Sequence, residues 1–163
     1  SKDLNKTHNV IENFPELSFA DLHDANQCAE ISSSAFNFDR FHSDKNIPIN
    51  LANKIKYDWA KNNCLERADK VFIIKNQKKI IGFNSCLLEE NNARIDLIAV
   101  RKNYKNKGIG KKLVIASLNY YGSKGIKLMK VGTQSNNLAS LNLYYSLGFK
   151  DTNQETTLHL WIK

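Results

Sequence analysis

The sequence predicts a mixed α and β fold, of the α+β class, on three observations. Three β-branched runs separated by short turn-forming stretches fill residues 70–100, two helical patterns precede them, and helices alternate with strands after them. Such interleaving argues against both a helical bundle and a β-sandwich. With 163 residues, 42% of them hydrophobic, the chain is read as a single domain over 1–163, since roughly 150 residues make one domain.

Residues 19–36 place Leu22, Ala25, Cys28, Ala29, Ile31 and Ala35 near helical spacing behind Ser18 as a cap. A second helix fits residues 50–65, with Leu51, Ile55, Trp59 and Leu65 as its apolar stripe behind Asn50. Between the two, RFHSDKNIP reads as a turn-rich connection. Strands follow at 70–74, 80–88 and 93–100, joined by NQK and EENN, and their turn chemistry predicts an antiparallel meander. An amphipathic helix over 108–121 stops at Gly122 and Gly125. It leads to a strand at 128–133, a helix at 138–148 and a closing strand at 156–162.

Lys and Arg outnumber Asp and Glu to give a net charge of +8, which favours an anionic partner without choosing among nucleic acid, an acidic membrane face and a phosphate-rich small molecule. The three cysteines, Cys28, Cys64 and Cys86, have neither CxxC spacing nor a nearby histidine, so no disulfide framework and no metal site are expected. No run approaches the roughly 18 apolar residues that span a bilayer, and SKDLNKTHNV lacks a secretory hydrophobic stretch. These readings predict a soluble cytoplasmic protein with reduced thiols.

The stretch YKNKGIGKKL, residues 104–113, carries the chemistry. Glycines at a helix start permit close approach of a ligand, and the first amide N–H groups of a helix have no intrahelical partner. Gly108, Ile109, Gly110 and Lys111 would direct backbone donors and the helix dipole at an anion, within the field of Lys105, Lys107, Lys111 and Lys112. GxxxxGK[ST] is absent, and GxGxxG would need glycine where Leu113 stands, so the P-loop and dinucleotide classes fall away. On this fragment alone, a glycine-rich turn with a solvated lysine face remains an equal reading.

In its context the stretch resembles the central motif of the GNAT superfamily of acetyl-CoA-dependent N-acetyltransferases. There a strand ending like LIAV is followed by Arg/Gln-x-x-Gly-x-Gly/Ala opening a helix; here Lys105 stands where that family carries Arg or Gln. A second element, from Asn137 through Ser140 and Tyr144 to Gly148 and Phe149, is similar to the family's Asn-x-x-Ala/Ser-x-x-x-Tyr and Gly-Phe pattern. The resemblance covers about residues 71–163 and implies a twisted, mostly antiparallel mixed sheet flanked by helices. A narrower likeness, in SAFNFDRFHSDKNIP, VGTQSNN and TTLHLWIK, is to enzymes of the dTDP-fucosamine acetyltransferase type, which acetylate nucleotide-linked amino-dideoxy sugars.

The resemblance implies direct attack of an amine on acetyl-CoA, with no metal. It makes Tyr144 the acid that protonates the departing thiolate. The CoA contacts it implies are Asn137, which is equally suited to capping its helix, the strand-end backbone of Ile98 and Val100, and Lys105, Asn106, Lys107, Gly108, Ile109, Gly110 and Lys111. For the acceptor side the sequence offers Arg40, His42, Asp44 and Trp161, with Asp96, His42 or Asp44 as candidate bases and bulk water as an alternative. Each of these is also readable as surface charge or core aromatic.

The leading function is acetyl transfer to a nucleotide-linked amino sugar for surface glycan synthesis. Rivals are acetylation of a protein N-terminus, a polyamine or another small amine, and a basic nucleic-acid-binding module. Against the last, only Tyr104 is interleaved with the lysines of residues 101–112, so nucleic acid is not an expected partner, nor is a membrane. The oligomeric state is left open, a homodimer among the options.

Overall fold

The computed structural model describes residues 1–4 and 14–162. Most of SKDLNKTHNV therefore lies outside the described residues. The elements are strands β1 (Lys2–Asp3) and β2 (Leu17–Phe19), helices α1 (Ala25–Ala35), α2 (Arg40–Ser43) and α3 (Ile49–Asn62), strands β3 (Lys70–Asn76), β4 (Lys79–Glu89) and β5 (Asn92–Val100), then α4 (Ile109–Ser123), β6 (Leu128–Val131) and α5 (Leu138–Ser146). They form one six-stranded sheet in the order β1-β6-β5-β4-β3-β2. Among the described residues only the β5–β6 pair is parallel, so the sheet is mixed and mostly antiparallel, with the expected meander at its centre.

Two features of β5 prepare the site. Parallel pairing with β6 runs from Asn92↔Leu128 to Ile95↔Val131 and stops, so among the described residues the rest of β5 has no strand paired on that side. Its register with β4 also jumps, from Ser85↔Leu97 to Cys86↔Ile95, which leaves Asp96 looped out of the ladder. The extra residue changes which face the strand buries. Ala93 and Ile95 pack with Leu113, Val114, Met129 and Tyr144 on the α4 side, whereas Leu97 and Ala99 pack with Cys28, Ile31 and Ala60 on the α1 and α3 side.

The helices fit these two faces through small residues. Gly82 on β4 lies under the start of α4; a Cβ there would stand 2.8 Å from Ile109 Cγ2 and 3.2 Å from Leu113 Cδ1. On the other face α3 buries Ala52, Lys56 and Ala60 rather than the predicted stripe, and Leu51 and Leu65 are exposed. Alanines at this spacing let α1 and α3 approach closely, and the larger apolar side chains are displaced to the flank.

Three other expectations are corrected. The first helix begins at Ala25, not near Phe19, because Asp21 rather than Ser18 caps the chain by accepting from the His23 and Asp24 amides, while Phe19 belongs to β2. The connection at 40–43 is a helical turn, capped by Asp39. The closing strand at 156–162, and with it the strand position of Trp161, is absent: residues 151–162 are irregular and exposed. The outer edge of β6 is taken instead by β1, and Ser1 exchanges two backbone hydrogen bonds with Lys150, so no ladder remains beside β6 for the later segment.

Candidate active site

The loop between β5 and α4 places the expected donors. Asn106 and Gly108 are both left-handed, at φ 61° and 77°, and Gly108 caps α4. An L side chain at Gly108 would be strained although nothing occupies the space around it. The Lys112 amide closes the first helical bond onto the Gly108 carbonyl, and the amides of residues 108–111 have no acceptor among the described residues. This is a cradle of backbone donors at the positive end of a 15-residue helix. Lys105, Lys107 and Lys111 are exposed around it, with the Lys107 ammonium 5.2 Å from the Tyr104 ring centre. Lys112 is drawn away from this field, its ammonium 2.6 Å from Glu16 and 5.2 Å from the Phe14 ring centre.

Helix α5 packs against this cradle, since a Cβ on Gly110 would meet Leu143 Cδ2 at 3.5 Å. One residue on, Tyr144 is buried against Phe149, ring centres 5.4 Å apart, and its hydroxyl makes no hydrogen bond among the described residues. Burial, with the neighbouring Cys86 thiol acting in the same direction, raises the Tyr144 phenol well above its ordinary value and keeps it protonated. Tyr145 is exposed and donates to Asp151 instead. Asn137 caps α5, its side-chain oxygen accepting from the Ser140 amide at 3.2 Å. Ile98 and Val100 lie on the stretch of β5 without a β6 partner.

On the opposite face, Asp96 is the centre of a cluster. Its side chain is only 1% exposed, and it accepts from Trp59 Nε1 at 2.7 Å and Asn63 Nδ2 at 2.8 Å; Arg67 pairs with it more closely, and Arg94 lies 3.5 Å away. Burial works to raise this carboxyl, but the hydrogen bonds from Arg67, Asn63 and Trp59 outweigh it and hold the group below its ordinary value. Of the members other than Asp96, sequence reasoning singled out none for the site. Their signal was the recurrence of Trp59, Asn63 and Arg67 every four residues, one face of a helix that continues through a π turn at Asn63–Arg67.

The remaining acceptor-side candidates divide. His42 is a strut: its buried ring bonds Asp39 at 2.6 Å and Asn53 at 2.9 Å, so neither nitrogen is free to act as a base. Arg40 is exposed at the start of α2, its guanidinium 4.8 Å from the Phe41 ring centre. Asp44 and Trp161 do come together, Trp161 Nε1 donating to Asp44 Oδ2 at 3.1 Å beside His159, which pairs with the same oxygen. Lys56, missed from sequence, is buried within 4.7 Å of the Phe36 and Trp59 ring centres and 3.9 Å from Asp39. Burial lowers its ammonium's affinity for the proton against the pull of Asp39.

Cys28, Cys64 and Cys86 are free thiols, and burial pushes Cys86 up, away from the reactive thiolate. Among the described residues no group of three or more His, Cys, Asp or Glu side chains is placed to hold a metal, and no helix is long and apolar enough to cross a membrane.

A splayed β5–β6 pair, a backbone anion cradle at the next helix and a protonated tyrosine behind it define an acyl-CoA-binding N-acyltransferase architecture. The chain belongs to the Acetyltransferase (GNAT) family, whose profile matches residues 25–149, and acetyl-CoA is the co-substrate of that family. It is similar to the spore coat polysaccharide biosynthesis protein SpsD of Bacillus subtilis (strain 168), 25% identical over 148 residues that cover 91% of this chain and 51% of that protein. The chain spans about half the length of the curated relatives it matches. Among solved structures, the PaiA N-acetyltransferase of Thermoplasma acidophilum in complex with coenzyme A has a TM-score of 0.74 at 19% identity, covering 86% of this chain and 92% of that one. The ribosomal-protein-S18-alanine N-acetyltransferase of Escherichia coli has a TM-score of 0.68 at 20% identity, covering 84% and 78%.

Proposed function

We propose that this chain transfers the acetyl group of acetyl-CoA to the amine of a nucleotide-linked amino-dideoxy sugar in surface glycan synthesis, working in the cytoplasm. The observation that carries the acetyl-transfer reading is the contact between the two halves of the donor site. The unpaired amides of residues 108–111 open the same helix turn whose Gly110 packs on Leu143, next to Tyr144. The sugar acceptor is supported by the similarity to a polysaccharide biosynthesis protein over 91% of the chain and by the narrower likeness of the chain's ends. Family membership favours an enzyme over a nucleic-acid-binding module.

In this reading the pyrophosphate lies on the amides of residues 108–111, with Lys105, Asn106, Lys107 and Lys111 supplying field and polar contacts. Asn137 and the free edge of β5 at Ile98 and Val100 take the pantetheine arm. The neutral amine attacks the thioester carbonyl carbon, a C–N bond forms, the C–S bond breaks, and the thiolate takes its proton from Tyr144. The acceptor's ammonium proton and the proton freed on amide formation leave to water, which returns one to the Tyr144 phenolate. At neutral pH the Tyr144 phenol carries its proton, as the donor role requires. Asp96 is the acceptor-side carboxylate, with Arg40 and the Asp44–Trp161 pair further out toward the nucleotide.

The test is thiol release from acetyl-CoA across a panel of dTDP- and UDP-linked amino sugars, polyamines, aminoglycosides and peptide N-termini. Turnover with a nucleotide amino sugar is the expected result, and turnover confined to another class of amine reassigns the acceptor.

A further inference from the structure

We infer that Arg67 is a specificity-determining gate on Asp96: its guanidinium stands where the acceptor's ammonium docks, and the acceptor enters by exchanging with it. The inference rests on the amine-acetylation reading and names a residue that nothing in the family match assigns.

The donors around Asp96 are of two kinds. Trp59 and Asn63 are partly or fully buried on α3 and its π turn, at 2.7 and 2.8 Å, and their positions are fixed by packing. Arg67 and Arg94 are surface side chains, 40% and 38% exposed; Arg94 is committed through Nε to Glu89 at 2.6 Å, and Arg67 also donates to Asn63 Oδ1 at 2.8 Å, a contact it gives up on leaving. Trp59 and Asn63 therefore hold the carboxylate in place, while its principal counter-charge comes from a side chain that reaches in from solvent.

A carboxylate this buried needs a cation, because two neutral hydrogen bonds do not offset the loss of water around a full charge. An incoming primary ammonium meets the need, with three donors on a smaller group than a guanidinium. It would also inherit the face of Trp59, over which Arg67 Cζ lies 5.5 Å from the ring centre.

The displaced arginine has somewhere to go. A cavity of about 360 Å³ beside the cluster is lined by Arg67 itself together with Glu66, Asp69 and Glu89, so the guanidinium can turn from one carboxylate environment into another. Asp96 stands at the bulge, one residue past the last β5–β6 pair, so its backbone marks the point where the two strands part. A neutral acceptor, with a hydroxyl in place of the amine, could not replace the arginine's charge, and this exchange would reject it.

The alternative is a structural ion pair, and the two roles differ in the sign of one measurement. The indole Nε1–H resonance of Trp59, assigned by its survival in Trp161→Phe, is followed by NMR during titration with methylammonium chloride in the absence of acetyl-CoA. In Arg67→Met the midpoint should fall at least five-fold below that of the unmodified protein. Methylguanidinium should compete with methylammonium in that variant, and Asp96→Asn should abolish the response. Equal midpoints in the unmodified and Arg67→Met proteins, or a response that persists in Asp96→Asn, overturns the gate. If Arg67→Met does not fold, Arg67→Gln, which keeps a polar side chain of similar reach but loses the charge, is judged by the same midpoint criterion. No turnover enters this experiment. An amine panel without any acetyl transfer would defeat the functional reading and leave the gate standing, and an unmoved midpoint beside active turnover would do the reverse.

Discussion

The proposed donor and acceptor sides of β5 are built from different materials. On the α4 side, the proposed recognition is assembled from backbone: the four amides of residues 108–111, the left-handed turn at Gly108 and the edge of β5 beyond its last β6 pair. On the α3 side it is assembled from side chains gathered across the chain, with Trp59, Asn63, Arg67 and Arg94 converging on Asp96. Backbone recognition depends on conformation and tolerates changes of side chain, whereas a side-chain cluster fails when any rigid member is lost. The same contrast explains why Lys105, which departs from the family pattern, leaves the cradle intact.

The largest effect should come from the proposed general acid rather than from either binding half. Tyr144→Phe is expected to lower kcat by about 10²-fold, the scale of a lost general acid, while leaving acetyl-CoA affinity near that of the unmodified protein. Steady-state kinetics alongside calorimetry checks both parts, and an unchanged kcat would remove Tyr144 from the mechanism.

Asp96→Asn comes next. It should cost about 2 kcal/mol of stability at neutral pH, the scale of hydrogen bonds to a charged group. The folded protein holds this carboxyl below its unfolded value of about 3.9. Its contribution is therefore fully present above that pH and is lost as pH falls through the lower, folded value. Denaturant melts at several pH values should show the gap between the two proteins closing in acid. A gap that widens there would contradict the sign.

Gly108→Ala sharpens the other half of the comparison. A β-carbon at φ 77° costs about 1 to 2 kcal/mol, enough to turn the loop and weaken acetyl-CoA binding about tenfold, with acceptor KM unaffected. The smallest effect is expected from Lys105→Ala, about twofold in acetyl-CoA KM and erased by added salt, because an exposed lysine supplies field rather than a fixed contact. A tenfold loss that survives high salt would instead show a specific phosphate contact there.

The same contrast governed what the sequence disclosed. The meander, the α4 start and the Tyr144 helix were legible because each is a local pattern: alternating strands, a glycine pair at a helix start, an asparagine seven residues before a tyrosine. The Asp96 cluster was not, since only the fold brings Arg94 beside Arg67, and the bulge that turns Asp96 toward α3 has no composition of its own. Lys56 was hidden for another reason: a lysine on a predicted polar face reads as solvated, and only the aromatic rings of Phe36 and Trp59 make its burial tolerable. The closing strand failed for want of a ladder. TTLHLWI has the alternation of a strand, yet β1 holds the edge of β6, and the segment instead lies pinned by His159 and Trp161 to Asp44 with Leu158, Leu160 and Ile162 facing solvent.

The separation of the two halves is open to one direct measurement. Acetyl-CoA is titrated calorimetrically into the unmodified protein, Gly108→Ala and Asp96→Asn under identical salt. Binding that weakens about tenfold in Gly108→Ala and stays within about twofold in Asp96→Asn is the predicted result, following the cost of a left-handed alanine. Loss of affinity in Asp96→Asn with Gly108→Ala unchanged would contradict it.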